Sequence, residues 1–526
     1  MKFIPPYLHP NQQQLGQTLE LFIGQNPIKI VKETKFLGLI WDEKLTFKPH
    51  INYLKRKCMK AMNILKVLSH MDWGADQPTM LHIYRAFIRS KLDYGCTVYG
   101  SAHKSYLEKL DPIQNQCLRL CLGAFRTSPV KSLHVLADEP PLIYRRDKLA
   151  LQYGIKLKAY PDNPAYEYVF PTKDDLYTRD HRVVMPFKVR LHKLLKRSQI
   201  NITNVAENGN LYEHPLWDFP EVQFKTELIT YKKEDTPPQL YHTLFNLEKE
   251  KYPHHTFIYT DGSKKDEKVA YAHVNPKGRR RILDGSSIYT AEAMAVLSIL
   301  KYIKFSQCNK FAICSDSWSL IQAMQSQDLK NCLVISIFKE LAQRIGEGKE
   351  VIFWWIPSHC GIAGNEEADR EAKAALNDEI DSIHKKKLVM PYSDKLPLIK
   401  QFIHKAWQTE WNSALDNKLH NITPTLGKAQ TVHTSRRDQV VFNRIRIGHT
   451  RLTHKCYFET PIVHPICHLC RTNSRLDIDH ILLHCTHLNT IRTRYYHAQS
   501  MKDLFENINP DKILGFLKET RFYSEL

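Results

Sequence analysis

The sequence lacks any apolar run of roughly eighteen residues, so no membrane span is expected. The first residues, MKFIPPYLHPNQQQ, hold a single Lys and no long apolar core, so no secretory leader is expected either. There is no internal repeat and no extended low-complexity tract, which argues against a solenoid or a disordered linker protein. Acid is in short supply: 55 Asp and Glu face 75 Lys and Arg, a formal net charge of +20. Such an excess favours a polyanionic partner, nucleic acid first and an anionic membrane surface second. What is present suffices for packed cores, with 43% hydrophobic residues. At about 100–200 residues per domain, 526 residues predict roughly three or four domains. The 12 cysteines of this lysine-rich chain are expected to be reduced, in an intracellular protein. A tight cluster among them would point to metal rather than disulfides. Basic clusters permit nuclear entry without deciding between nucleus and cytoplasm.

Four segments are expected. Residues 1–150 read as mainly helical. Phe36-Leu37-Gly38-Leu39-Ile40-Trp41 has β character, and Asp42-Glu43-Lys44 follows as a turn. The stretch Ile51 to Leu68 carries Leu54, Met59, Ile64, Leu65 and Leu68 near helical spacing. Met80 to Leu92, with Pro78 ahead of it, and Gln114 to Leu122, stopped by Gly123, predict two more helices. Proline, charge and Asn make residues 151–250 a connector. Residues 251–378 read as an α/β domain. A polar stretch from Asn377 to Pro397, including Lys385-Lys386-Lys387, precedes a His- and Cys-rich tail, residues 398–526.

In the α/β segment, Thr256 to Thr260 predicts a strand and Asp261-Gly262-Ser263 the turn after it. Glu292 falls in the first turn of an apolar helix, with Thr290 as its cap. Phe311 to Ser315 predicts a second strand, with Asp316 at its end. A third strand, Val351 to Pro357, leads through a Gly-containing loop to a helix from Glu366 that carries Asp369. Each acid alone is explained as a turn residue, a cap or a first-turn dipole partner. Together they are the group that phosphodiester hydrolysis needs. Two divalent cations about 3.5–4 Å apart clamp the attacking and leaving oxygens, and carboxylates supply hard ligands for Mg²⁺ or Mn²⁺. Arg279-Arg280-Arg281 and Lys264-Lys265 are candidate phosphate contacts, or else solvated loops.

Cys467, Cys470, His480 and Cys485 form C-x2-C-x9-H-x4-C, a ligand set suited to a closed, structural Zn²⁺ site. His468, His484 and His487 are rival ligands. Arg471, Arg475 and Arg492 are basic residues that such a module would present to nucleic acid.

Asp261-Gly262-Ser263, Thr290-Ala291-Glu292, Ser315-Asp316-Ser317 and the run Pro357-Ser358-His359-Cys360-Gly361-Ile362-Ala363-Gly364-Asn365-Glu366-Glu367-Ala368-Asp369 resemble, in order, the four motifs of ribonuclease H type 1. The resemblance implies a mixed five-stranded sheet flanked by helices. It implies metal-binding catalytic acids at Asp261, Glu292, Asp316 and Asp369. His359 would sit on a mobile loop and assist proton transfer or product departure, and Ser263 and Asn365 would touch nucleic acid. The implied partner is an RNA–DNA hybrid. The tail, with Arg444-Ile445-Arg446-Ile447-Gly448-His449-Thr450-Arg451-Leu452-Thr453-His454 before its Cys/His cluster, resembles the region after ribonuclease H in non-LTR (LINE-type) retrotransposon polyproteins. Phe36-Leu37-Gly38-Leu39, Leu45-Thr46-Phe47, His50-Ile51 and Lys91-Leu92-Asp93-Tyr94-Gly95 resemble the end of the reverse transcriptase of those elements, beyond its palm. No Tyr-x-Asp-Asp hairpin lies between apolar strands, and Lys173-Asp174-Asp175 sits among proline and polar residues. The expectation is a truncated element product with ribonuclease H activity and no polymerase. Primer extension with dNTPs should give no incorporation.

Two other readings compete. One is a non-catalytic nucleic-acid-binding protein on the same fold. The other is an unstable fragment whose first 150 residues expose apolar surface.

Overall fold

The computed structural model describes residues 2–3, 22–27, 29–171, 185–208, 220–327, 331–380, 389–427, 435–454, 465–470 and 472–526. Lys173-Asp174-Asp175, Lys385-Lys386-Lys387 and Arg471 lie outside these. The chain divides into two compact units. One contains residues 1–151, 177–194 and 400–526, the other 152–176 and 195–399. Among the described residues, no helix is long and apolar enough to cross a membrane.

In the first unit, the early apolar run is a hairpin rather than one strand. Strands β1 (Glu33–Phe36) and β2 (Leu39–Asp42) pair antiparallel around Leu37-Gly38. Both turn residues have positive φ, 45° and 82°, the geometry of a tight two-residue hairpin. The Asp42 carboxylate accepts from the backbone N–H groups of Thr46 (3.0 Å) and Phe47 (2.8 Å), folding the chain into helix α1 (Lys48–Leu68). That helix buries Ile51, Leu54, Cys58, Met62 and Leu65. Met59 and Ile64, expected on the inner face, are exposed. Helix α2 (Gln77–Tyr84) begins three residues before the expected Met80, because Asp76 caps it through Thr79 N–H at 2.7 Å. A π-helical turn, Arg85–Arg89, continues it. Helix α3 (Asp111–Leu122) stops at Gly123 with φ 66°.

The second unit is built on a six-stranded sheet. Its strands are β3 (Gln223–Lys225), β4 (Thr256–Lys265), β5 (Lys268–Val274), β6 (Gly278–Arg281), β7 (Lys310–Ser315) and β8 (Glu350–Trp355), in the order β6-β5-β4-β7-β8-β3. β4, β5 and β6 pair antiparallel, while β4-β7, β7-β8 and β8-β3 are parallel. The five strands expected from the resemblance are there. The sixth, β3, comes from the connector and stacks Phe224 on Phe353 at 5.6 Å.

Strands β7 and β8 and the first half of β4 are apolar because both faces are covered. Ile258, Phe311, Ile313, Val351 and Phe353 point to one core, and Phe257, Tyr259, Ala312, Cys314, Ile352 and Trp354 alternate to the other. Helix α4 (Pro238–Lys249) places Tyr241 and Phe245 on the second face. Helices α5 (Ile288–Ile303) and α6 (Cys332–Gly346) cover the first. Helix α7 (Ala363–Ala375) packs across β4 and β5.

The last segment returns to the first unit through helix α8 (Arg436–Ile447). Arg436 donates to the carbonyls of Cys121 (2.7 Å) and Leu120 (2.8 Å), and Arg444 Nε to that of Gly123 (2.9 Å). Asn443 donates to Leu122 O at 3.1 Å. The orphan carbonyls ending α3 are therefore satisfied by side chains more than three hundred residues away. Only glycine fits at 123, since a Cβ there would lie 2.4 Å from Val440. The apolar helices of the first 150 residues share one core with this segment, so their inner faces are covered.

Candidate active site

Strand β4 does not end at Asp261. Pairing with β5 continues through Asp261↔Ala272 to Lys265↔Lys268, and the turn falls at Asp266-Glu267. Asp261 is thus a buried mid-strand carboxylate, 6% exposed. Thr290 is not the cap of α5. Ser287 caps it, its Oγ accepting from Thr290 N–H at 3.1 Å, and Glu292 falls in the second turn. The Thr290 hydroxyl instead donates to Asp394 Oδ2 at 2.7 Å, and the Ser287 N–H to the same oxygen at 3.0 Å. Asp394 was not anticipated from sequence. It stands in a single 3-10 turn, Tyr392–Lys395, too short to show a period and over a hundred residues from its partners.

Asp316 follows β7, where its carbonyl accepts from Trp318 N–H (2.9 Å) and Trp355 Nε1 (3.3 Å). Asp261, Glu292 and Asp316 each bring a carboxylate oxygen to within 4.8 Å of the others. Among the described residues, Glu292 Oε2 is buried with no hydrogen-bond partner. Burial, then the charges of Asp316 and Asp369, push the Asp261 carboxyl up to about 8. Burial and the neighbouring acids hold Glu292 far above the carboxylate range. Burial raises Asp316 too, opposed by a hydrogen bond from Asn365 and the charge of His359.

Gly262 explains how the helix reaches the strand. A Cβ there would lie 2.9 Å from Ala291 Cβ and 3.2 Å from Glu292 Oε1. Gly262→Ala is expected to push α5 outward and weaken divalent-cation binding by roughly tenfold or more, read by calorimetric titration of a protein that still melts cooperatively. Unchanged affinity would show that the close approach does not position Glu292.

Helix α7 begins at Ala363, not Glu366, because the Glu366 carboxylate turns back to accept the Gly361 N–H at 2.9 Å. Asp369 therefore lies in its second turn. Its Oδ2 accepts from Lys373 Nζ at 2.6 Å, one helical turn on, and it stands outside the three-acid group. His359 is exposed in the loop after β8, with φ 55°. Lys233 Nζ steadies that loop, donating to the carbonyl and hydroxyl of Ser358 at 3.0 Å. Ser263 and Asn365 are buried, 8% and 3% exposed, and Asn365 serves Asp316. The basic runs are partly engaged. Arg279 pairs with Glu371 and Asp378, Arg281 with Asp284, and Lys264 donates to Ser286 O.

In the other unit, Cys467, Cys470, His480 and Cys485 bring their ligand atoms within 4.8 Å of one another. Cys467 and Cys485 sulfurs are 4.0 Å apart, and Cys470 Sγ is 3.4 Å from His480 Nε2. His468, His484 and His487 are not in the group, and His484 instead meets Asp479 at 3.0 Å. Arg492 is buried and donates to the carbonyls of Ile481 and Cys485, so it holds the cluster's frame. The described cysteines are all free.

Residues 253–377 match the family model described as RNase H. The chain is 28% identical over 107 residues to a probable RNA-directed DNA polymerase from transposon X-element of Drosophila melanogaster, covering 20% of this chain and 11% of that protein. It is 27% identical over 126 residues to a retrovirus-related Pol polyprotein from type-1 retrotransposable element R1 of Nasonia vitripennis, covering 23% and 37%. The chain thus spans only a minor part of these relatives' length. The crystal structure of RNase H1 from the archaeon Halobacterium salinarum aligns at 19% identity and TM-score 0.19, covering 23% of this chain and 98% of that one.

Proposed function

We propose that residues 253–377, the segment matching the RNase H family, hydrolyse the RNA strand of RNA–DNA hybrids with divalent metal. The observation that carries this is the meeting of Asp261, Glu292 and Asp316, from a strand, a helix and a strand end, at ligand distance. A buried acceptor without a partner, such as Glu292 Oε2, costs about 1–3 kcal/mol, which a cation would relieve. When bound, Mg²⁺ or Mn²⁺, as a pair of ions, would polarise the scissile phosphate and acidify the attacking water.

The chain's own residues do the rest. Asp261, Glu292 and Asp316 would hold the ions, with Asn365 orienting Asp316. Asp369 joins them on leaving Lys373. His359, exposed beside Asp316, gives an imidazole proton to the departing sugar oxygen. Ser263 shares a strand face with Asp261 and would touch the nucleic-acid backbone there. Selection of RNA over DNA rests on the 2′-hydroxyl in the wide minor groove. We also propose a structural Zn²⁺ on Cys467, Cys470, His480 and Cys485, a set that fills four tetrahedral positions.

The test is cleavage of a labelled RNA–DNA hybrid with Mg²⁺, with single-stranded RNA as control. Cutting of the hybrid alone, lost in Asp316→Asn, is expected. Folded protein that binds hybrid without cutting would establish instead a non-catalytic hybrid-binding module, a reading favoured by the ion pair that already neutralises Asp369. Lys373→Met separates the two further. Freeing Asp369 should tighten Mg²⁺ binding by about threefold to tenfold, on the scale of a charged neighbour's effect. Weaker binding would remove Asp369 from the proposed set.

A further inference from the structure

Helix α8 carries three buried arginines, and they are not alike. Arg436 and Arg444 spend their guanidinium groups on the carbonyls around the end of α3. Arg444 also lies over the Phe125 ring, 3.9 Å from its centroid. Both are structural clamps. Arg446 is 4% exposed, lies 5.9 Å from the centroid of the Phe442 ring and, among the described residues, donates from Nη2 alone, to Thr423 Oγ1 at 3.2 Å. Its Nε and Nη1 are buried without a partner among the described residues, and no carboxylate there pairs with it. One hydroxyl and one ring only partly offset a buried guanidinium without a carboxylate, and an anion would relieve it. Burial already draws its pKa down to about 10.

Arg446 lines a groove of about 480 Å³, together with Lys418, Ile445, Ser500, Met501 and Lys502. It also lines a neighbouring cavity of about 200 Å³, beside Thr423 and Glu506. The larger space falls in the range of roughly 300–1,000 Å³ typical of ligand sites. Its acids are occupied: Asp477 Oδ1 accepts the His480 N–H at 3.0 Å, and Asp479 meets His484. Its lysines are loosely held, Lys418 with Asp477 and Lys502 with Glu506, each at 3.9 Å. Three cationic side chains, Lys418, Arg446 and Lys502, thus outnumber the two acids of the groove, beside the partly exposed Met501.

We propose that this groove, next to the Cys/His cluster, binds one nucleotide unit of a single-stranded nucleic acid, its phosphate on Arg446 and Lys502 and its base against Met501. The site is in the unit that does not contain the acid cluster, and it does not depend on the nuclease reading.

The test is fluorescence anisotropy of the full chain with a labelled single-stranded RNA of about ten nucleotides, a length within one binding module's footprint. Arg446→Met should melt no lower than the wild type, because an unpaired buried charge has gone. It should bind the strand about tenfold more weakly, with a salt slope reduced by about 0.7 for the lost phosphate contact. Lys502→Ala, at a half-exposed position, should weaken binding in the same direction and decides the matter should Arg446→Met fail to fold. Hybrid cleavage should be unchanged in both. Equal strand affinity in folded Arg446→Met and in Lys502→Ala would overturn the proposal. So would a Glu506→Gln variant that melts lower while strand affinity stays unmoved in Arg446→Met, since the guanidinium would then serve an internal ion pair. Adenosine monophosphate or inorganic phosphate raising the melting temperature of wild type but not of Arg446→Met, without a difference in strand binding, would assign the groove to a small phosphate and overturn the strand assignment.

Discussion

In metal-free protein at pH 8, Asp261→Asn is expected to melt higher than the wild type while losing hybrid cleavage. The carboxyl of Asp261 is raised from an ordinary value of 3.8 to about 8 by burial and by the charges of Asp316 and Asp369. An acid whose folded pKa lies above its unfolded one binds protons better when folded. Its stabilising contribution is complete below the unfolded pKa and is lost as pH rises through the folded one. The metal-free wild type should therefore lose stability between about pH 4 and pH 8, on the order of a few kcal/mol. Asn cannot ionise, so the variant should show a flatter profile and melt about 5 °C or more higher at the alkaline end. Saturating Mg²⁺ should reverse the order by stabilising the wild type selectively. Activity should fall by about a thousandfold, the scale of losing a charge-stabilising group in a preorganised site. Calorimetry across pH, with and without metal, measures both halves. A variant that melts lower than metal-free wild type at pH 8 would mean that the acids are held by partners other than metal.

Chelation of Zn²⁺ should cost the tail its cooperative fold. Cys467, Ile478, Ile481, Leu482, Cys485 and Leu488 belong to the same core as Phe442, Leu504 and Phe516. Structural zinc contributes about 10–16 kcal/mol in finger-sized peptides, and part of that should appear here as folding energy. Hydrogen bonding from Thr472 brings the Cys470 thiol down to about 6, which favours the thiolate a cation would need. Purified protein should carry one equivalent of Zn²⁺. Cys470→Ser should lose it and melt about 10 °C lower or in two steps. His484→Ala should retain it, because His484 faces Asp479 instead. Metal-free protein that melts as one cooperative unit, with Cys470→Ser unchanged, would leave the cluster as four neighbouring side chains without a cation.

Residue type and order in the sequence pointed to Asp261, Glu292 and Asp316 and to the Cys467, Cys470, His480 and Cys485 group, each of which the fold gathers, while Asp369 stands apart. Their immediate settings were less so. Asp261-Gly262-Ser263 carries turn-forming residues, yet β5 pairs across all three and keeps them in a strand. Tertiary pairing overrides local preference there. The spacing of Asp369 and Lys373 is visible in sequence, but whether a lysine meets the carboxylate or solvent is decided only by the folded helix. β3 has three residues, too few to show a period, and it joins the sheet through β8. In α1, Met59 and Ile64 have the polarity of core residues, but the buried stripe runs through Cys58 and Met62.

The clamps of Arg436 and Arg444 on the end of α3 bear on the order of events at the ribosome. Residues 1–151 emerge roughly 250 residues before the segment from Lys400 that completes their core. At about 5–20 residues per second, the wait is on the order of 12–50 seconds. During that interval, the carbonyls of Leu120, Cys121 and Gly123 and the surface facing Val440 have no native partner. The nascent helices must therefore be shielded by a chaperone or stay loosely folded until the tail arrives, while the sheet of the second unit can close in the meantime with strands drawn entirely from residues 223–355.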